Sequence, residues 1–194
     1  MIVLGVDEVG RGCIAGPLVV GAVVLEGNIA GIKDSKLLSR SKREQLAKII
    51  YLTAKYCGLG WVNASEINTI GLSKSLSLAA ARSLERLNIN FDRAVIDGNI
   101  NYLPNYINAE ILVHGDNIEP AISAASIIAK VARDRYMASL STNFNGYGFE
   151  KHVGYCTKEH IEALLKFGIT AQHRLTFAPV KFMLGSVPTY KIQQ

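Results

Sequence analysis

Apolar residues near the start of the chain come in short unbroken runs, and the polar residues that end them are of one kind. V-L-G-V (Val3 to Val6) and L-V-V-G-A-V-V-L (Leu18 to Leu25) read as two strands. The loop between them carries Gly10, Arg11, Gly12 and Pro17, so an antiparallel pair is expected. Ser41 followed by Glu44 matches a capping box, and helical periodicity runs from there to about Tyr56. G-L-G-W-V-N reads as a third strand, and Leu72 to Leu87 as a helix with Leu76, Ala80, Leu84 and Leu87 on one stripe.

Further on, R-A-V-I-D-G-N is a buried strand ending at Asp97, and A-E-I-L-V-H-G-D repeats that form to end near Asp116. Pro120 suits a first helical turn, and Ala121 to about Tyr136 is apolar nearly all round, which predicts a buried helix. After a glycine-rich stretch, Thr157 can cap a helix reaching about Phe167. From Val187 on, a frayed tail is expected. Strands first, then helices alternating with strands, predict a mixed α/β sheet covered by helices on both faces. No repeat or composition shift marks a boundary, so a single domain over residues 1–194 is expected.

The acids recur at one kind of place. Asp7 and Glu8 follow V-L-G-V, Asp97 follows A-V-I, and Asp116 follows I-L-V-H-G. Sites in open α/β sheets form at the carboxyl ends of strands. Converging carboxylates repel one another unless a cation joins them, and Mg²⁺ or Mn²⁺ prefers oxygen ligands. Two such ions about 4 Å apart can drive phosphodiester hydrolysis. Each acid taken singly is better explained as turn chemistry. Spacing alone leaves both readings open.

Charge adds direction. Lys and Arg number 21 against 16 Asp and Glu, a formal +5, which is compatible with a polyanionic partner. Cys13, Cys57 and Cys156 are far apart with no C-x-x-C pair, which argues against structural zinc and for thiols in a reducing compartment. The longest apolar stretch, Ile14 to Leu25, is 12 residues and contains Gly16, Pro17 and Gly21. A membrane span needs about 20. With no signal-peptide pattern behind Met1, a soluble cytoplasmic protein is expected. The four histidines, His114, His152, His160 and His173, show no H-x-x-x-H pairing, and no phosphate-binding loop or G-x-S-x-G elbow is present.

G-V-D-E-V-G-R-G, D-S-K, V-I-D-G-N, G-D, I-S-A-A-S-I-I-A-K-V-A-R-D and Y-G-F-E-K-H-V-G-Y-C-T, in this order, closely resemble the bacterial ribonuclease HII family over about Val3 to Lys181. The resemblance implies a ribonuclease H-like sheet with a small helical C-terminal part. It implies cleavage of the RNA strand of RNA–DNA hybrids, and cutting 5′ to single ribonucleotides embedded in DNA. Two ions, Mg²⁺ or Mn²⁺, would leave 3′-hydroxyl and 5′-phosphate ends. By the same resemblance, Asp7, Glu8, Asp97 and Asp116 match the catalytic, metal-binding carboxylates. Gly10, Arg11 and Gly12 match the segment that meets the 2′-hydroxyl, which fits glycine's tolerance of close backbone approach. Tyr155 matches a tyrosine at the RNA-to-DNA junction, and Lys36 a position near the phosphates.

Three positions depart from the family pattern: Cys13 where proline is usual, Asn117 where serine is usual, and His114 where lysine is common. A ribonuclease HIII-type enzyme would carry an extra N-terminal domain, whereas here the acidic motif begins within ten residues of the start. A catalytically dead binding module would not need all four acids. A monomer acting on nucleic acid, without an obligate protein partner, is expected.

Overall fold

The computed structural model describes residues 1–32 and 38–186. Its elements are β1 (Ile2–Val9), β2 (Leu18–Glu26), α1 (Arg40–Thr53), β3 (Tyr56–Val62), α2 (Ala64–Leu84), β4 (Arg93–Asp97), β5 (Ala109–Leu112), α3 (Pro120–Leu140), α4 (Phe149–His152), α5 (Lys158–Phe167) and α6 (Val180–Ser186). The five strands form one mixed sheet in the order β3-β2-β1-β4-β5. β1 pairs antiparallel with β2 and parallel with β4, and β4 pairs parallel with β5.

Period-2 alternation sorts side chains onto two faces. Val3 of β1, Val23 and Leu25 of β2, and Val95 of β4 pack with Leu46 and Ile50 of α1 and with the buried run 121–128 of α3. Glycine brings α3 unusually close. A Cβ on Gly5 would lie 2.1 Å from the Ala121 carbonyl carbon, and one on Gly21 2.3 Å from the Ala125 oxygen. On β3, Cys57 and Leu59 join the same cluster, while Gly58 and Gly60 turn the other way and press on Ser83 and Ala79 of α2. Helices therefore cover both faces, as expected.

The chain contacts divide into two compact units. One comprises Met1–Val9, Val19–Trp61 and Leu76–Ala132 and holds most of the sheet with α1. The other comprises Gly10–Leu18, Val62–Ser75 and Arg133–Gln194. Its core has two clusters: Phe149, Tyr147, Met137 and Ala163, and Ile14, Leu164, Ile169 and Val180.

Several local expectations are corrected. The cap of α1 is Ser39, not Ser41: Ser39 is extended (φ −61°, ψ 157°) and its hydroxyl accepts the Lys42 amide. α1 ends at Thr53, because Tyr56 already belongs to β3. α2 starts at Ala64 and breaks at Gly71 (φ 76°, ψ 166°), so Leu72 begins only its second half; Leu87 lies beyond its end. β5 is an exposed edge, with Ile111 39% accessible, instead of a buried strand, and it stops at Leu112. His114 then adopts a left-handed conformation (φ 57°), which turns the chain into the 3-10 turn Gly115–Asn117. α4 and α6 are additions to the expected elements. Lys36 and the tail from Val187 fall outside the described residues.

Candidate active site

The register of the sheet assembles the acids. Val6 pairs with Ile96, so Asp7 and Asp97 are the next residues on adjacent parallel strands. Asp97 pairs with Leu112, four residues before Asp116. Asp7 lies on the α3 face and is 7% exposed, with a hydrogen bond from Ser126 of α3. Its Oδ1 also accepts the Glu8 amide at 2.8 Å. Burial, reinforced by the charges of Glu8 and Asp97, pushes its carboxyl from 3.8 up to about 8. Asp97 Oδ1 accepts the Gly115 amide at 2.7 Å, which fixes the turn carrying Asp116. Asp116 is buried at 1%.

Tyr102 joins the acids without any signal in the sequence. Its hydroxyl donates to Glu8 Oε2 at 2.8 Å. Burial, then the Glu8, Asp7 and Asp97 charges, raise that hydroxyl well above its usual range. Asp7, Glu8 and Asp97 thus sit within electrostatic reach of one another and of one phenol. Tyr102 is 94 residues from Glu8, so no local pattern could announce the pair.

The donor set consists of carboxylate oxygens, the chemistry that Mg²⁺ or Mn²⁺ takes. The raised Asp7 carboxyl registers burial first and, to a lesser degree, the neighbouring Glu8 and Asp97 charges that a cation would offset. Among the described residues, no three acidic, histidine or cysteine side chains form a ready-made ligand cage. Asp7, Asp97 and Glu8 instead orient oxygens toward the Glu8 amide, the Gly115 amide and the Tyr102 hydroxyl. The residues fit the ion by donor chemistry and mutual proximity.

Gly10, Arg11, Gly12 and Tyr155 belong to the second unit. Gly10 (φ 91°) could not carry a side chain: its Cβ would lie 2.3 Å from Arg133 Nε. Arg11 and Gly12 are exposed, and a Cβ on Gly12 would meet nothing within 4 Å. Two buried guanidiniums hold this loop by its carbonyls. Arg133 donates to Pro17, Ala15 and Val153 oxygens at 2.9, 3.2 and 2.8 Å. Arg174 donates to Gly16 at 3.1 and 3.0 Å and to Arg11 at 3.1 Å. Burial, with Arg133 nearby, lowers Arg174 to about 10. Tyr155 is 44% exposed, and burial of the rest of its ring, with a hydrogen bond to Cys13, raises its hydroxyl. The departure at Cys13 therefore touches the tyrosine directly.

A mixed sheet in this strand order, flanked by helices and with acids at the carboxyl ends of β1 and β4, is the arrangement of the ribonuclease H class of nucleases. The chain matches the family profile described as Ribonuclease HII over residues 4–180. It is 47% identical over 192 residues to the Ribonuclease HII of Polynucleobacter necessarius subsp. necessarius (strain STIR1), covering 95% of this chain and 96% of that protein. The crystal structure of the ribonuclease H2 from Pyrococcus horikoshii OT3 superposes with a TM-score of 0.79 at 27% identity, covering 94% of this chain and 97% of that one. Bst-RNase HIII in complex with Mn²⁺ shares the fold, with a TM-score of 0.69 at 20% identity over 95% of this chain and 70% of that one. The chain belongs to the ribonuclease HII family. No helix among the described residues is long and apolar enough to cross a membrane.

Proposed function

We propose that this chain, acting as one catalytic domain over residues 1–194 and as a cytoplasmic monomer, cuts the RNA strand of RNA–DNA hybrids and cuts 5′ to single ribonucleotides embedded in duplex DNA. The observation that carries this reading is the electrostatic coupling of Asp7, Glu8 and Asp97 at the ends of neighbouring strands. With Asp116, these acids would hold Mg²⁺ or Mn²⁺. Two such ions, when bound, would supply an activated water and stabilise the leaving oxygen of a phosphodiester.

The chain's own residues orient and recognise. Ser126 and the Glu8 amide hold the Asp7 carboxyl, and Tyr102 holds Glu8. The open space at Gly12 lets a sugar approach the backbone, where the 2′-hydroxyl distinguishes RNA from DNA. Gly10 keeps the loop seated on Arg133, Arg11 reaches solvent for phosphate, and the Tyr155 ring offers a stacking face. Lys36 belongs to the same reading through the D-S-K match. The test is cleavage of a duplex containing one ribonucleotide, with product ends analysed. A 3′-hydroxyl and a 5′-phosphate are expected. A 2′,3′-cyclic phosphate would mean that the 2′-hydroxyl is the nucleophile and would overturn the mechanism.

A further inference from the structure

Three histidines of the second unit are buried apart from the acids: His152 at 6%, His160 and His173 at 0%. They form one connected group. His160 Nδ1 is 2.8 Å from the Tyr155 carbonyl oxygen, and its Nε2 is 3.1 Å from His173 Nε2. His173 Nδ1 is 3.0 Å from the Thr170 amide and 2.9 Å from the Thr170 hydroxyl. The His152 ring stacks on His160 with centroids 4.2 Å apart. Its Nε2 is 2.7 Å from the Tyr147 carbonyl and its Nδ1 3.2 Å from the Gly154 amide.

The partners dictate the protons. A carbonyl only accepts, so His160 Nδ1 and His152 Nε2 carry hydrogens. A backbone amide only donates, so Nδ1 of His152 and of His173 are bare. His173 must then hold its hydrogen on Nε2 and donate it to a bare Nε2 of His160. All three rings are neutral: a second proton on any of them would face another N–H. Burial pushes in the same direction, lowering His160 to about 4 and His173 to about 3.

This relay ends on the peptide that bears Tyr155. His152 accepts the Gly154 amide and His160 donates to the Tyr155 carbonyl. From the other side, the Gly154 carbonyl accepts the Ile14 and Ala15 amides at 2.9 and 3.3 Å. The preceding residue, Val153, holds a left-handed backbone (φ 44°) that a β-branched residue adopts only under constraint. We infer that His160, backed by His152 and His173, is a positioning residue that fixes the backbone from which the Tyr155 ring reads the ribonucleotide. The inference rests on the reading above that Tyr155 contacts substrate.

The test compares His160→Phe, His160→Asn and Tyr155→Ala on a duplex with one embedded ribonucleotide. Phenylalanine keeps a ring and loses both hydrogen bonds; asparagine keeps a donor at the Nδ1 position. His160→Phe should raise KM roughly three- to tenfold, the effect of one net hydrogen bond, with kcat and the half-saturating Mg²⁺ concentration within about twofold of wild type. His160→Asn should restore KM to within about twofold of wild type. If Tyr155→Ala raises KM and His160→Phe does not, the inference falls and the substrate reading stands. If Tyr155→Ala leaves KM unchanged, the substrate reading itself falls. On the unaltered protein, long-range ¹H–¹⁵N spectra at pH 7 should show neutral rings with hydrogen on Nδ1 of His160 and on Nε2 of His152 and His173. A charged ring, or Nε2–H on His160, would overturn the relay without any variant.

Discussion

Asp7→Asn should make the metal-free protein more stable while abolishing cleavage. In the fold, burial and the neighbouring acids raise the Asp7 carboxyl from 3.8 to about 8. The unfolded chain releases that proton near 3.8, so between these values the native state binds more protons than the unfolded state. Stability therefore falls as pH rises through this window. At pH 7 roughly three units separate the pH from the unfolded value, and each contributes ~1.4 kcal/mol, so the carboxyl lowers stability by about 4 kcal/mol. Asparagine has no such proton but keeps the cost of burying a polar group, about 1–2 kcal/mol. A net gain of about 2–3 kcal/mol at pH 7 is expected, shrinking by ~1.4 kcal/mol per unit as pH is lowered toward 4 and levelling off above about 8. The assay is urea unfolding followed by circular dichroism, in chelator, at several pH values. Because both proteins share every other titrating group, the difference reports Asp7 together with its coupling to Glu8, Asp97 and Tyr102. Excess Mg²⁺ should stabilise wild type more than the variant, since a ligand stabilises only the state it binds. A gain that is absent at pH 7, or equal at pH 5 and pH 7, would refute the burial argument. Near wild-type turnover in Mg²⁺ would refute the metal role.

Gly5→Ala should cost several kcal/mol, on the order of 3, because its Cβ would strike the Ala121 backbone, which no rotamer can avoid. A midpoint of urea unfolding within error of wild type would contradict the close seating of α3. In an Asp7→Asn background, stability should fall as pH drops below 6.5, by up to ~1.4 kcal/mol per unit for each of His160 and His173, because the unfolded chain takes up protons that the native rings refuse until about 4 and about 3. A flat profile between pH 6.5 and 5 would show these rings to be solvated. Binding to hybrid duplex should weaken with salt, with a slope of about −0.9 per neutralised phosphate, the value for B-form DNA. A slope indistinguishable from zero would remove the phosphate-contacting surface.

What is legible in the sequence is local. β1, β2 and β4 declare themselves because a continuous apolar run meets an acid or a glycine, and Thr157 caps α5 where the pattern places it. Asp7 and Glu8 near the end of β1 and Asp97 at the end of β4 can be located for the same reason, whereas Asp116 lies four residues past the end of β5, in the 3-10 turn. β5 defeats the pattern because Ala109, Ile111 and Leu112 look like core residues; edge exposure depends on having no strand beyond, which spacing does not encode. Ser39 and Ser41 are both chemically competent caps, and only the backbone angles choose between them. Tyr102 on Glu8, Arg133 on Pro17 and Arg174 on Gly16 join residues 94 to 158 positions apart, so chain pattern carries no trace of them. His152, His160 and His173 show no metal-ligand spacing because their partners are carbonyls, amides, the Thr170 hydroxyl and each other.

Arg133 and Arg174 have an electrical consequence as well as a mechanical one. Both are 0% exposed, and the hydrogen bonds they make to the loop 10–17 end on carbonyl oxygens, which carry partial dipoles and no compensating unit charge. Charges under the surface are shielded by dissolved ions far less than those on flexible side chains in water. The loop following β1 therefore has a built-in positive background that exposed lysines do not have to provide and that salt only partly erases. Polyanion attraction at this loop should have two components, one fading with ionic strength and one that persists. Arg133→Lys or Arg174→Lys would keep the charge yet lose the planar fork that grips several carbonyls at once, so the background depends on guanidinium geometry as much as on its sign.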